Sequence, residues 1–169
     1  FKERRVEKIY EAFCIGSFDE DRFEVKTPHF RHPKKRYKFS TNSKLQFKAK
    51  TRVRVARSTF EVIKSDADIT HLRVVLQTGR THQIRAQLAD RSRPLLQDTV
   101  YGGKKALKRI RSVELKRQIS ILDRHALHAK EISFNHPKSG EKMTFVAPYP
   151  DDLLRFKEFW YDWQGKHGQ

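Results

Sequence analysis

From Thr70 to Gln77 the chain alternates without interruption, placing Leu72, Val74 and Leu76 on one side and His71, Arg73, Val75 and Gln77 on the other. A period of two is the signature of a strand with an apolar face, so the chain must build a sheet and cover that face. Thr78-Gly79 breaks the pattern, and Thr81 is placed to cap a helix running to about Asp90, in which Ile84 and Leu88 fall four apart on one face. Gly79 and Arg80 therefore stand at a strand-to-helix junction, where backbone N–H groups and side chains are commonly presented to ligands.

Other segments extend this pattern. Lys8 to Ile15 reads as a first strand buried on both faces and ended by Gly16-Ser17. Thr51-Arg52-Val53-Arg54-Val55 alternates, with the valines expected to face a core and Arg52 and Arg54 to face out. Lys130–Asn135 and Lys142–Ala147 form a hairpin, with Gly140 free to take positive φ in the connection. Pro150-Asp151-Asp152 starts a last helix whose apolar stripe is Leu153, Leu154, Phe156, Phe159 and Trp160. Pro94 to Gly103 reads as a loop or short strand, and Lys104 to Arg117, with seven basic residues around Glu114, as a flexible surface segment. The whole is one domain, a mixed sheet with a few helices.

Charge narrows the partner. Thirty-seven Lys and Arg against twenty Asp and Glu leave +17, a field suited to a polyanion. From Lys26 to Phe60 there are twelve basic residues and no acid, and nothing in that stretch argues for a helix. Such a surface contacts phosphates, which set affinity and salt dependence rather than sequence choice. Lys34-Lys35-Arg36 is its densest cluster. The interleaved Phe30, Tyr37, Phe39 and Phe47 read more readily as core than as base-stacking platforms. Cys14 is the single cysteine, which excludes a disulfide-built secreted scaffold. The sequence has no run of some twenty apolar residues, so a membrane span is not supported. His125, His128 and His136 lack a second cysteine or an H-E-x-x-H pattern, so no metal site is expected, and the spacing of Asp123 and Glu131 fixes no carboxylate pair across a substrate.

The junction also carries a resemblance. Leu76-Gln77-Thr78-Gly79-Arg80-Thr81-His82-Gln83-Ile84-Arg85 resembles the signature of the RluA/RluD-type pseudouridine synthases. Further blocks agree in order: Val6-Glu7-Lys8-Ile9-Tyr10-Glu11-Ala12 with Gly16, Arg31-His32-Pro33-Lys34-Lys35-Arg36, then Pro94-Leu95-Leu96 and Asp98 through Tyr101-Gly102-Gly103. Arg124-His125-Ala126-Leu127-His128-Ala129, Phe134-Asn135-His136-Pro137, Gly140-Glu141 and Ala147-Pro148-Tyr149-Pro150 complete the match, which covers almost the whole chain. Two departures stand out: Gln87 where a histidine is frequent, and Gln97 where the family prefers glycine before the aspartate, so a different turn is expected around Asp98.

The resemblance implies an α+β fold, a mixed and largely antiparallel β-sheet with flanking helices and loops, pseudouridine-synthase-like but incomplete. It also implies isomerisation of a uridine within ribosomal or transfer RNA: the N1–C1′ bond breaks, the uracil turns, and C5 becomes bonded to C1′, without metal or organic cofactor. Tyr10 is similar to the family's active-site tyrosine, which packs against the base and is implicated in removing the C5 proton. Arg80 is similar to the basic residue that orients the attacking aspartate, and Leu127 to the apolar residue lining the uracil pocket. Lys34, Lys35, Arg36 and Arg85 are expected to bind the RNA. The attacking aspartate belongs to an H-R-L-D motif ahead of the tyrosine strand, and no such motif occurs from Phe1 to Gln169. Phe1 to Arg5 resembles the end of the helix that follows it. Residues 1–169 are thus expected to be the C-terminal portion of a catalytic domain, inactive alone, monomeric and cytoplasmic. The alternative is an inactive RNA-binding module that keeps the synthase surface.

Overall fold

A computed structural model describes residues 6–167; the helix end expected at Phe1 to Arg5 lies outside them. Seven strands form one sheet in the order β3-β2-β4-β5-β1-β6-β7, every neighbouring pair antiparallel. They are β1 Val6–Ile15, β2 Arg22–Arg31, β3 Phe39–Ser40, β4 Arg54–Ser65, β5 Ile69–Leu76, β6 Leu127–Asn135 and β7 Lys142–Val146. Four helices accompany them: α1 Gln83–Asp90, α2 Gly103–Ala106, α3 Val113–Ser120 and α4 Asp151–His167.

The alternation of β5 and β1 divides the core into two layers. Ala12, Cys14, Leu72 and Val74 face one way and pack with Phe23, Val25, Phe60, Leu95 and the α1 residues Ile84 and Leu88. Phe13, Ile15 and Ile69 face the other way, beneath Ile110, Leu115, Ile119, Leu153, Phe156 and Trp160. Burying each of these large side chains stabilises the fold by about 1.5–3 kcal/mol. A half-buried carboxylate fastens the second layer: Asp66, in the β4–β5 turn, accepts the indole N–H of Trp160 at 2.8 Å and the Ile69 amide at 2.7 Å.

Several sequence expectations meet their structure here. The hairpin forms as read, with Gly140 at φ 75°. The segment 104–117 is packed rather than loose: Ala106, Ile110 and Leu115 bury themselves under the sheet, and Ser112 caps α3 by accepting the Leu115 amide. Val53 and Val55 are exposed, because β4 begins only at Arg54 and its inward residues start at Ala56. Within the acid-free stretch, Ser43–Lys48 forms a short 3-10 helix with no buried residue. Residues 94–96 lie in the sheet beside the end of β1, with Leu96 N–H donating to the Phe13 carbonyl and Ile15 N–H to that of Pro94.

Candidate active site

Tyr10 and Leu127 occupy the α1 side of the sheet. Tyr10 pairs across to Ala129 and Val74, Leu127 pairs with Ala12, and both pack on the cluster that α1 covers. Tyr10 also lines a cavity of about 440 Å³ with Lys8, Ala129, Lys130, Ile132 and Phe145. Lys8 also approaches the signature turn: a Cβ built on Gly79 would meet its Nζ at 3.7 Å. Nothing in the alternation of β1 alone distinguished Lys8 from a solvated cation.

Arg80 follows Gly79 in a turn held against β4, where the amides of Gln77 and Thr78 both donate to the Arg57 carbonyl. The expected cap is corrected. α1 is entered through His82, in the left-handed region at φ 58°, with no side-chain cap, while the Thr81 carbonyl meets His29 Nε2 at 3.0 Å. Gln83 does the local anchoring instead: its Oε1 accepts the Thr78 hydroxyl at 2.8 Å and the Arg80 amide at 3.0 Å.

The Arg80 side chain lines a groove of about 340 Å³ together with His29, Arg31, Phe39, Arg52 and Arg54. None of these four guanidinium groups pairs with a carboxylate among the described residues. Burial holds the His29 imidazole below its ordinary pKa despite the Thr81 carbonyl, and the positive charges of Arg80 and His82 act in the same direction. His29 is thus neutral near pH 7, and its buried Nδ1 has no hydrogen-bond partner.

Arg85 is committed elsewhere. Its Nε and Nη2 meet the two oxygens of Asp98 at 2.8 and 2.9 Å, a two-pronged pair with Asp98 at 0% exposure. Asp98 also accepts the Val100 and Tyr101 amides at 3.0 and 2.9 Å. Burial alone would raise this carboxyl, but the Arg85 fork and the Tyr101 amide bring it below the ordinary aspartate value. Tyr101 then ties three elements together. Its ring lies under Arg85, and its hydroxyl accepts the Phe39 amide at 2.8 Å and stands 3.2 Å from His82 Nδ1. Burial pushes the Tyr101 hydroxyl up to about 12. Gln97, at the position where the resemblance expects glycine, stands in the left-handed region at φ 56° that glycine favours, with its side-chain amide donating to the Ile119 carbonyl at 3.0 Å.

Lys34, Lys35 and Arg36 are exposed at the tip of the β2–β3 connection, on a turn organised by His32 Nδ1, which accepts the Lys34 and Lys35 amides. The structure thus places the predicted residues in four settings: Tyr10 and Leu127 on the sheet face, Arg80 in the cationic groove, Arg85 in its pair with Asp98, and the three-residue cluster on the outer arm.

The sequence profile of the RNA pseudouridylate synthase family matches residues 1–90. The chain belongs to that family. It is 40% identical over 153 residues to the ribosomal large subunit pseudouridine synthase D of Vibrio cholerae, covering 90% of this chain and 44% of that protein. The protein of that name from Pseudomonas aeruginosa is 34% identical, covering 89% of this chain and 44% of its own length. The chain therefore spans under half the length of these curated relatives. Among solved structures, human RNA pseudouridylate synthase domain containing 4 superposes with a TM-score of 0.68 at 18% identity, over 94% of this chain and 63% of that one. Human RNA pseudouridylate synthase domain containing 1 gives 0.67 at 22% identity, over 89% and 57%. The seven-stranded sheet is thus a pseudouridylate synthase fold. No helix among the described residues is long and apolar enough to cross a membrane.

Proposed function

We propose that a protein containing this chain is an RNA pseudouridine synthase acting on ribosomal or transfer RNA in the cytoplasm as a monomer, with residues 1–169 as the C-terminal portion of its catalytic domain. The attacking aspartate comes from an H-R-L-D segment ahead of Tyr10. The observation that carries this reading is the unpaired Arg80 guanidinium, presented by a turn fixed to β4 on the flank of the sheet face that bears Tyr10 and Leu127. Tyr10 packs against the uracil and assists removal of the C5 proton, Leu127 lines the pocket, and Arg80 grips the incoming carboxylate through two parallel hydrogen bonds. The reaction conserves atoms: C1′ exchanges N1 for C5, C5 loses its proton and N1 gains one. The base must leave its stack to reach Tyr10, which favours loops and mismatches as targets. Lys34, Lys35 and Arg36 supply phosphate attraction from the arm, and Arg85 serves the same surface indirectly by holding Asp98 and its loop.

Arg80→Lys, in a protein carrying this chain together with an H-R-L-D segment, tests the reading. The charge survives and the planar fork does not. Losing a charge-assisted contact of about 1.5–3 kcal/mol lowers the single-turnover rate at saturating enzyme by roughly tenfold to more than a hundredfold. A wild-type rate removes Arg80 from catalysis. Absence of pseudouridine with the unmutated protein favours an RNA-binding module instead.

A further inference from the structure

The side chain of Gln83 is 2% exposed, and its hydrogen-bonding capacity is filled. Its Oε1 accepts two bonds, from the Thr78 hydroxyl and the Arg80 amide, and its Nε2 donates two, to the Arg57 carbonyl at 3.0 Å and Ser58 Oγ at 2.8 Å. An amide with both acceptor and both donor positions engaged has one orientation available to it. The Thr78 hydroxyl is fixed in turn, because it accepts the Arg57 amide at 2.8 Å.

The chain of bonds continues into the core. Ser58, fully buried, donates a hydrogen bond from its hydroxyl to Gln87 Oε1 at 2.8 Å. Gln87, one helical turn after Gln83, donates to the Val25 carbonyl at 3.3 Å and the Thr27 hydroxyl at 3.2 Å. Two glutamines on one face of α1 and a serine on β4 therefore make a continuous polar ladder from β2 to the turn that carries Arg80. A helix packed on a sheet needs no such ladder for burial, since Ile84 and Leu88 already supply it. An unsatisfied member would be left desolvated with nothing in return, so the arrangement stands only because each partner is met. Its outward end is the backbone N–H of Arg80, whose own side chain makes a single long contact, Nε to the Val55 carbonyl at 3.4 Å. The side chain is free to turn while its root is held.

We infer that Gln83 is a positioning residue for the pseudouridylation site: through Thr78 and the Arg80 amide it fixes the direction from which the Arg80 fork meets the carboxylate. This inference rests on the catalytic reading of Arg80 given above.

The test is a double-mutant cycle in the protein carrying the upstream H-R-L-D segment, with single-turnover conversion, RNA affinity and thermal unfolding measured for each variant. Gln83→Met keeps the length of the side chain and removes its polar atoms. Displacement of a catalytic group by about an ångström costs up to a hundredfold in rate, so a fall of about tenfold or more is expected, with RNA affinity within about threefold of the parent. In an Arg80→Lys background, where the fork is already gone, adding Gln83→Met should cost less than about threefold further. A full multiplicative loss in that background overturns the inference, as does an unchanged rate in a folded Gln83→Met protein. Should that variant fail to fold, Thr78→Val removes the hydroxyl at a partly exposed position, and Thr78→Ser restores it. The rate should fall severalfold in the first and return in the second; equal rates in both overturn the inference. If Arg80→Lys alone loses nothing, the catalytic reading has failed. If Arg80→Lys loses rate and Gln83 acts independently of it, only the present inference has.

Discussion

The signature turn and the basic arm both carry cationic side chains, and they hold them in opposite ways. Around residues 78–103 polar atoms are buried and matched: Gln83, Gln87, Ser58, Asp98 and Arg85 spend their hydrogen bonds on one another and on the backbone. In the arm, Lys34, Lys35 and Arg36 stand in solvent, Phe47 is 88% exposed, and the 3-10 helix 43–48 buries nothing. Matched groups fix direction, and unmatched groups wait for a partner. The first region is built for geometry, the second for attraction.

The contrast is broken most forcefully at Asp98. Asp98→Asn leaves the Arg85 guanidinium, 12% exposed, without its anion, and removing one partner of a buried pair costs about 3–5 kcal/mol. For a chain of this size the melting temperature should fall by roughly 10 °C, and a fall of a degree or two would show that the pair contributes little. Neutralising the arm tests the other half. Lys34→Gln, Lys35→Gln and Arg36→Gln together should leave the melting temperature unchanged, weaken binding of unrelated RNAs by about ten- to a hundredfold at moderate salt, and flatten the salt dependence by up to about three counterions. Affinity that survives the triple change moves the footprint to the groove lined by Arg52 and Arg54.

The smallest effect is with pH. His29 and His71 are almost wholly buried, and burial depresses the pKa of both, against the Thr81 carbonyl in one case and the Glu11 carboxylate in the other. Below about pH 6.5 the unfolded chain takes up protons that these folded histidines refuse, so stability falls as pH falls. The slope is at most about 1.4 kcal/mol per pH unit for each histidine. Thermal unfolding between pH 8 and 5.5 measures it; a flat profile would mean that the folded histidines charge as freely as the unfolded ones.

Strands with a clear alternation announced themselves. Thr70–Gln77 became β5 within a residue at either end, and the 130–147 hairpin formed around Gly140. The segment 104–117 did not, because its seven basic residues outnumber Ala106, Ile110 and Leu115, which decide its packing, and the first and last of these fall in separate short helices. Thr81 has the chemistry of a cap, yet the left-handed turn at His82 leaves it outside that role, and no residue type announces such a turn when it is not glycine. At the site, Tyr10, Arg80 and Leu127 were legible through family likeness. Gln83 was not, since a glutamine at the head of a helix has no meaning until the strand opposite supplies Arg57 and Ser58.

The outermost strand has a consequence for handling the molecule. Among the described residues β7 ends the sheet, with one row of its backbone amides and carbonyls unclaimed by a neighbouring strand, and Phe145 and Val146 are half exposed along it. Such an edge is a template on which a second copy can add its own strand and begin an aggregate. A charge of +17 keeps copies apart in dilute buffer, and a polyanion cancels that repulsion. The same titration that loads the chain with RNA therefore brings it nearest to colloidal failure, and turbidity will be lowest with RNA well below or well above charge neutrality.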